Sequence, residues 1–158
     1  VSRAREAQPL RRTLRLRAAR PADALGILDL ERHFPSDRMS LRSVRHLLRS
    51  PAARVWVVQA QVIIAALILL TRRNSKVARI YSVVVSPAAR GQGLAQRLVR
   101  AAEREARASG CERIALEVRE DNAAARGLYA NLGYTQSALL RGYYDDGADG
   151  LRLSKALR

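Results

Sequence analysis

The chain has 158 residues, with 29 Lys and Arg against 14 Asp and Glu, for a formal charge of +15. That length carries one domain with a sizeable core and is too short for two. A lone cysteine, Cys111, excludes an internal disulfide and points to a reducing compartment, and no apolar run reaches the roughly 20 residues a membrane helix needs.

In chain order, residues 1–12 are polar, basic and aperiodic, and are expected to form a disordered tail ahead of one domain over 13–158. Their arginines flank no apolar signal-peptide core, so a cytoplasmic protein is expected. Alternation predicts a strand over 13–18. Pro21-Ala22-Asp23 opens a helix to about Arg32, with Leu25, Leu28 and Leu30 among its apolar positions. Phe34-Pro35-Ser36-Asp37 breaks it, and Ser40 caps a second helix to about Leu48. Strands follow over 55–60, 62–71 and 78–85. A helix over 93–108 puts Ala95, Leu98, Val99, Ala102 and Ala106 on one face, with Arg97, Arg100, Arg104 and Arg107 on a solvated one. Then come a strand over 113–119, a helix capped by Asp121 or Asn122 and ended by Gly133, and strands over 134–140 and 150–156. This order is mixed α/β around one central sheet.

The high charge invites a nucleic-acid reading. Only Lys76 and Lys155 are lysines, however, and the arginine- and alanine-rich bias is what a GC-rich genome imposes on any protein. Aromatic stacking platforms are few. Nucleic acid is therefore not expected as substrate, although a basic face suits docking on a ribosome or an acidic protein.

The most informative run is Val83-Val84-Val85-Ser86-Pro87-Ala88-Ala89-Arg90-Gly91-Gln92-Gly93-Leu94-Ala95. It reads as a β-branched strand, a proline turn and a glycine-spaced loop feeding a helix. The unpartnered amides and the dipole at such a helix start favour an anion such as a pyrophosphate. A plain capping turn is the alternative. The spacing is neither that of a P-loop nor that of a dinucleotide fingerprint.

Arg90 to Ala95 resembles the GNAT superfamily signature of Gln or Arg, two free positions, Gly, one free position, then Gly or Ala. The resemblance continues through residues 116–125, Leu128-Tyr129-Ala130-Asn131-Leu132-Gly133-Tyr134 and residues 142–149, followed by 151–153. Together these blocks are similar to the branch that acetylates protein N-termini, typified by the RimI-type ribosomal-protein alanine acetyltransferases. The resemblance implies a mostly antiparallel sheet, splayed between its fourth and fifth strands, that takes acetyl-CoA as cofactor. Val83, Val84 and Val85 would lie along the pantetheine arm, and the amides of Arg90, Gly91, Gln92, Gly93, Leu94 and Ala95 would hold the pyrophosphate. Asn122 would hydrogen-bond the arm or simply cap its helix.

The resemblance also implies Glu117 as general base and Tyr129, beside the sulfur, as general acid, with an N–H near Val84 or Val85 stabilising the oxyanion. Otherwise Glu117 is an outward strand residue and Tyr129 a core tyrosine. Phe34, Tyr143 and Tyr144 are the candidate acceptor contacts, the tyrosines equally readable as hairpin packing. The loop after Phe34-Pro35 lacks the tryptophan associated with the ribosomal alanine enzymes. Asp145, Asp146 and Asp149 read as turn residues, His33 and His46 as helix surface, and no metal site is expected. Cys111 is not expected to be a nucleophile.

An α-amino group with pKa near 8 is already roughly a tenth neutral at pH 7, whereas a lysine near 10.4 is almost wholly charged. A modest carboxylate base therefore suits a protein or peptide N-terminus. The expectation is an N-acetyltransferase acting by direct attack of a primary amine, as a monomer or homodimer, without a membrane partner. The alternatives are a small-molecule amine acetyltransferase and a non-catalytic acyl-CoA-binding or ribosome-associated basic module. Gly127, inside the last helix, either loosens it or admits close packing.

Overall fold

A computed structural model describes residues 14–34 and 39–157. The expected tail and residues 35–38 of the predicted break lie outside the described residues. The elements are β1 (Arg15–Ala18), α1 (Ala24–Glu31), α2 (Leu41–Arg49), β2 (Ala53–Gln59), β3 (Ile63–Leu70), β4 (Val77–Val85), α3 (Leu94–Ala108), β5 (Arg113–Arg119), α4 (Ala123–Asn131), β6 (Thr135–Leu140) and β7 (Gly150–Ala156). No described helix is long and apolar enough to cross a membrane.

The strands form one sheet in the order β1-β2-β3-β4-β5-β7-β6. Every pairing is antiparallel except β4 with β5, and that joint is short: Val77 to Arg79 face Arg113 to Ala115. Beyond it residues 80–85 and 116–119 part company, leaving a wedge between the two halves of the sheet. The splay expected between the fourth and fifth strands is present.

Each face of the sheet is packed against a pair of helices. On one, Leu98, Val99, Ala102 and Ala106 of α3 and Tyr129 of α4 cover Leu67, Leu69, Ile80, Ile114 and Leu116. On the other, Ile27 and Leu30 of α1 and Val44 of α2 cover Val57, Ala66, Ile68 and Val84. The register of β3 on β4 passes from Ile68–Ser82 to Leu69–Ile80, so Tyr81 is an extra, bulged residue. Around that bulge Arg79, Tyr81 and Ser82 all line the α1–α2 side.

The helix faces are wider than the sequence periodicity indicates, and the first helix starts later. Pro21–Asp23 is a separate 3-10 turn, held by Asp23, which accepts both terminal nitrogens of Arg17 at 2.7 and 2.8 Å. The helix after it therefore starts at Ala24, and its phase buries Ala24, Ile27, Leu30 and Glu31 while Leu25 is 60% exposed. In α3 the buried set includes Leu94, Ala101 and Glu103, with Ala95 only half-buried. Glu103 is neutralised in place: Lys155 of β7 donates to both its oxygens at 3.0 Å and the Tyr134 hydroxyl donates at 3.2 Å. The predicted solvated arginines of α3 are exposed.

Candidate active site

The wedge and the start of α3 lie at the end of β4. Ser86 N–H donates to the Ile64 carbonyl at 2.8 Å. With Val85 opposite Ala65 and Val84 opposite Ala66, antiparallel alternation turns the backbone groups of Val84 toward β3. Those of Val83 and Val85 face the open side of the wedge. A 3-10 turn at Pro87–Ala89 then leads to Gly91 and Gly93, both with positive φ (82° and 72°) that suits glycine, and a Cβ at either would meet nothing within 4 Å. The open space makes this a bare backbone loop.

The helix starts differ in a telling way. The α2 start is capped by Ser40, which accepts from Ser43 N–H at 3.1 Å, and the α4 start by Asn122, which accepts from Ala125 N–H at 3.1 Å. At α3 the cap is Gly93, which has no side chain to offer, and the first turn carries no acidic residue. Its leading amides and positive dipole end are left for an anion from outside. Asn122 thus resolves the choice of cap, and its amide nitrogen remains available as a donor. The Arg90 guanidinium lies 5.8 Å from the centre of the Phe34 ring, which links this loop to the α1 side.

On the α1–α2 side a cleft of about 1300 Å³ runs along β4. It is lined by the predicted Glu117, Phe34, Tyr143 and Tyr144, and also by Glu31, Ser82, Arg79, Arg42 and His46, which the sequence reading had not placed there. Glu117 alternates away from Ile114, Leu116 and Val118, as predicted, and its side chain is only 11% exposed. Arg79 Nε holds Oε2 at 3.0 Å, and Arg152, its cross-strand neighbour on β7, stands 3.5 Å from Oε1. Tyr143 and Tyr144 pack edge to face with ring centres 5.1 Å apart. Their loop is clasped by Arg119, which binds Asp146 at 2.7 Å, reaches Asp121 at 3.2 Å and lies 5.0 Å from the Tyr144 ring centre. Asp146 is held below the usual carboxylate range, first by its bond from Arg119.

Of the cleft residues the sequence reading missed, Glu31 is the most deeply buried. It is 6% exposed, and among the described side chains only the Ser82 hydroxyl hydrogen-bonds to it, donating at 3.2 Å; burial pushes its carboxyl up from the ordinary 4.5. The signal was available, since Glu31 follows Ile27 by four and so shares its buried face.

Tyr129 lies on the other side of the sheet, 5% exposed and edge-on to Tyr134 with centres 5.4 Å apart. Burial raises its phenol, which keeps its proton throughout the neutral range. No described residue hydrogen-bonds to that hydroxyl, yet it is not a sealed, unsatisfied atom, so its tip reaches accessible space. Cys111 is buried and its thiol is pushed up, which makes it inert. The described residues contain no metal-binding cluster.

The sequence profile of the Acetyltransferase (GNAT) family matches residues 23–134. The chain belongs to this family. Among curated relatives, it is 41% identical over 71 residues to an N-alpha-acetyltransferase of Arabidopsis thaliana, a stretch covering 45% of this chain and 37% of the relative. It is 34% identical over 67 residues to the ribosomal protein bS18-alanine N-acetyltransferase of Haemophilus ducreyi, covering 42% of this chain and 46% of the relative. The chain thus spans less than half the length of either. Among solved structures, the ribosomal-protein-S18-alanine N-acetyltransferase of Escherichia coli superposes with a TM-score of 0.82 at 22% identity over 92% of this chain and 94% of the other. A spermidine N-acetyltransferase of Vibrio cholerae gives 0.79 at 20% identity over 91% and 94%.

The GNAT family uses acetyl-CoA, and the residues present here fit it. The bare, uncapped start of α3 suits a pyrophosphate, and the free edge at Val83 and Val85 suits an amide-bearing arm.

Proposed function

We propose that this chain is an acetyl-CoA-dependent N-acetyltransferase whose acceptor is the N-terminal α-amine of a protein or peptide. The observation that carries the reading is the cleft. At about 1300 Å³ it exceeds the roughly 300–1,000 Å³ of small-molecule sites, and it places two shielded carboxylates beside an aromatic rim. The Arabidopsis relative is named an N-alpha-acetyltransferase and the Haemophilus relative a ribosomal-protein alanine N-acetyltransferase, while the Vibrio neighbour is named for spermidine. The fold accepts either kind of amine, so the choice rests on the cleft.

The thioester, when bound, supplies an activated acetyl carbon. Val83 and Val85 would hold the pantetheine arm by backbone pairing, the amides from Arg90 to Ala95 the pyrophosphate, and Asn122 Nδ2 a further carbonyl. Glu117 takes the proton from the acceptor ammonium, directly or through a water. Arg79 and Arg152 keep its oxygens oriented toward the cleft. Glu31, shielded and bonded to Ser82, sits where a cationic amine is attracted before it loses its proton. The Val85 N–H faces the wedge, where it would donate to the thioester carbonyl oxygen of bound acetyl-CoA. From the opposite face, the Tyr129 hydroxyl, which keeps its proton, would supply it to the thiol leaving group. Transfer is direct, since Cys111 offers no nucleophile.

The test is steady-state acetylation of peptides with varied first residues, beside polyamines, amino sugars and a peptide blocked at its N-terminus but carrying an internal lysine. Free N-termini should be the best acceptors and the blocked peptide should fail. Higher kcat/KM for a polyamine or amino sugar overturns the acceptor assignment, and calorimetry without acetyl-CoA binding overturns the enzymatic one.

A further inference from the structure

The cleft is graded in charge. Its inner end carries Glu31, bonded to Ser82, with Val83 and Val84, and Glu117 stands between that end and Arg79, which holds it at 3.0 Å. Its outer end, where Arg79 stands opposite Leu70 on β3, is basic. There α2 contributes Arg42 and His46, one helical turn apart and so on one wall. Arg79 gives Nε to Glu117, while its side chain stays 42% exposed, leaving its terminal nitrogens to the cleft. Arg42 is exposed and, unlike Arg79, enters no ion pair among the described residues.

We infer that the acceptor carries an acidic side chain at its second or third residue. The inference rests on the acceptor reading above and narrows it. An amine seated between Glu31 and Glu117 fixes the first residue at the inner end. An extended peptide advances about 3.3 Å per residue, and Ser82 to Arg79 spans about 10 Å of strand, slightly shortened by the bulge at Tyr81. The side chains of residues two and three therefore enter the zone of Arg79, Arg42 and His46. A carboxylate there meets hydrogen-bond donors and positive charge, whereas a lysine or arginine meets like charge. The same gradient disfavours polyamines, whose second ammonium would fall among the guanidinium groups.

The experiment scans one aspartate from position two to position eight of an otherwise neutral peptide with a free α-amine, and repeats the scan with lysine. The readout is kcat/KM from thiol release with the full chain. Aspartate at position two or three should exceed aspartate at position eight by about tenfold, the size expected of two partly exposed ion pairs. Lysine at two or three should fall below the neutral peptide. Arg42→Glu, at an exposed site, should reverse the preference between aspartate and lysine, with His46→Glu acting in the same direction.

Equal rates wherever the aspartate stands overturn the inference, because attraction by the overall charge of +15 does not depend on position. An unchanged ratio in both variants overturns it too. Both results leave N-terminal acetylation standing. Failure to acetylate any free peptide N-terminus removes the acceptor reading itself.

Discussion

The two halves of this site are made of different material. The proposed cosubstrate side is main chain: the free edge of β4, two left-handed glycines and an uncapped helix start. The proposed acceptor side is side chains, brought together from α1, α2, β4, β5 and the loop before β7. A backbone site needs consecutive residues in one local conformation, and it reads in sequence as a contiguous motif. A side-chain site assembled across a sheet can change its preference by single substitutions while the motif stays intact. The halves meet at the wedge, with Glu117 on one face and Tyr129 on the other.

The largest expected effect tests whether the halves are separable. Glu117→Gln keeps the shape and the cross-strand neighbour but removes the proposed base, so kcat should fall about 10²- to 10⁴-fold. Acetyl-CoA affinity by calorimetry should stay within a factor of about two, since no backbone donor is touched. A parallel loss of affinity would show that the carboxylate also organises the cosubstrate side, and the division would fail.

Gly93→Ala probes the other half. The new Cβ meets no neighbour, so its penalty is confined to the left-handed backbone, about 1–2 kcal/mol. If the loop yields, acetyl-CoA should bind about tenfold more weakly. The relative kcat/KM among acceptor peptides should not move. A changed peptide preference would count against the division.

Glu31→Gln joins stability to function. Burial raises the folded-state carboxyl above 4.5, so the folded chain binds more protons than the unfolded one between that value and the raised one. Stability therefore falls as pH rises through that window. The glutamine still accepts from Ser82 but has no charge to desolvate. Thermal melts should show the variant more stable than the parent above the window and no more stable below about pH 4, where both states are protonated. Peptide KM should rise about three- to tenfold from loss of the attraction. A neutral-pH melt below that of the parent would mean that the charged form is stabilised by the fold.

How legible each half was follows from the same difference. Gly91, Gly93 and Asn122 could be read because each conformation is specified by its own residue and near neighbours. Glu117 was readable from strand alternation once the resemblance gave it a role. Glu31 was not, because the apolar positions of its helix alone set no phase, and the observed one buries Ala24, Ile27, Leu30 and Glu31 while leaving Leu25 exposed. Arg79 reaches Glu117 across the short β4–β5 joint, a neighbour that only the sheet order supplies. Glu103 reads as surface charge until Lys155 and Tyr134, far along the chain, are folded against it.

The smallest effect concerns Gly127, which lies in α4 between its cap and Tyr129. A Cβ there meets nothing within 4 Å, which disposes of close packing as its reason, and its φ is not positive. Alanine should therefore stabilise the fold by about 0.5–1 kcal/mol, or roughly 2–4 °C in Tm per kcal/mol for a chain of this size. If kcat is unchanged, Tyr129 is placed by its packing on Tyr134 and the stiffness of its helix is immaterial. If kcat falls while Tm rises, α4 must yield during turnover to bring the phenol to the sulfur. In that case the cosubstrate half depends on a helix that is soft at one residue, and its description as a fixed backbone cradle would hold for the α3 loop alone.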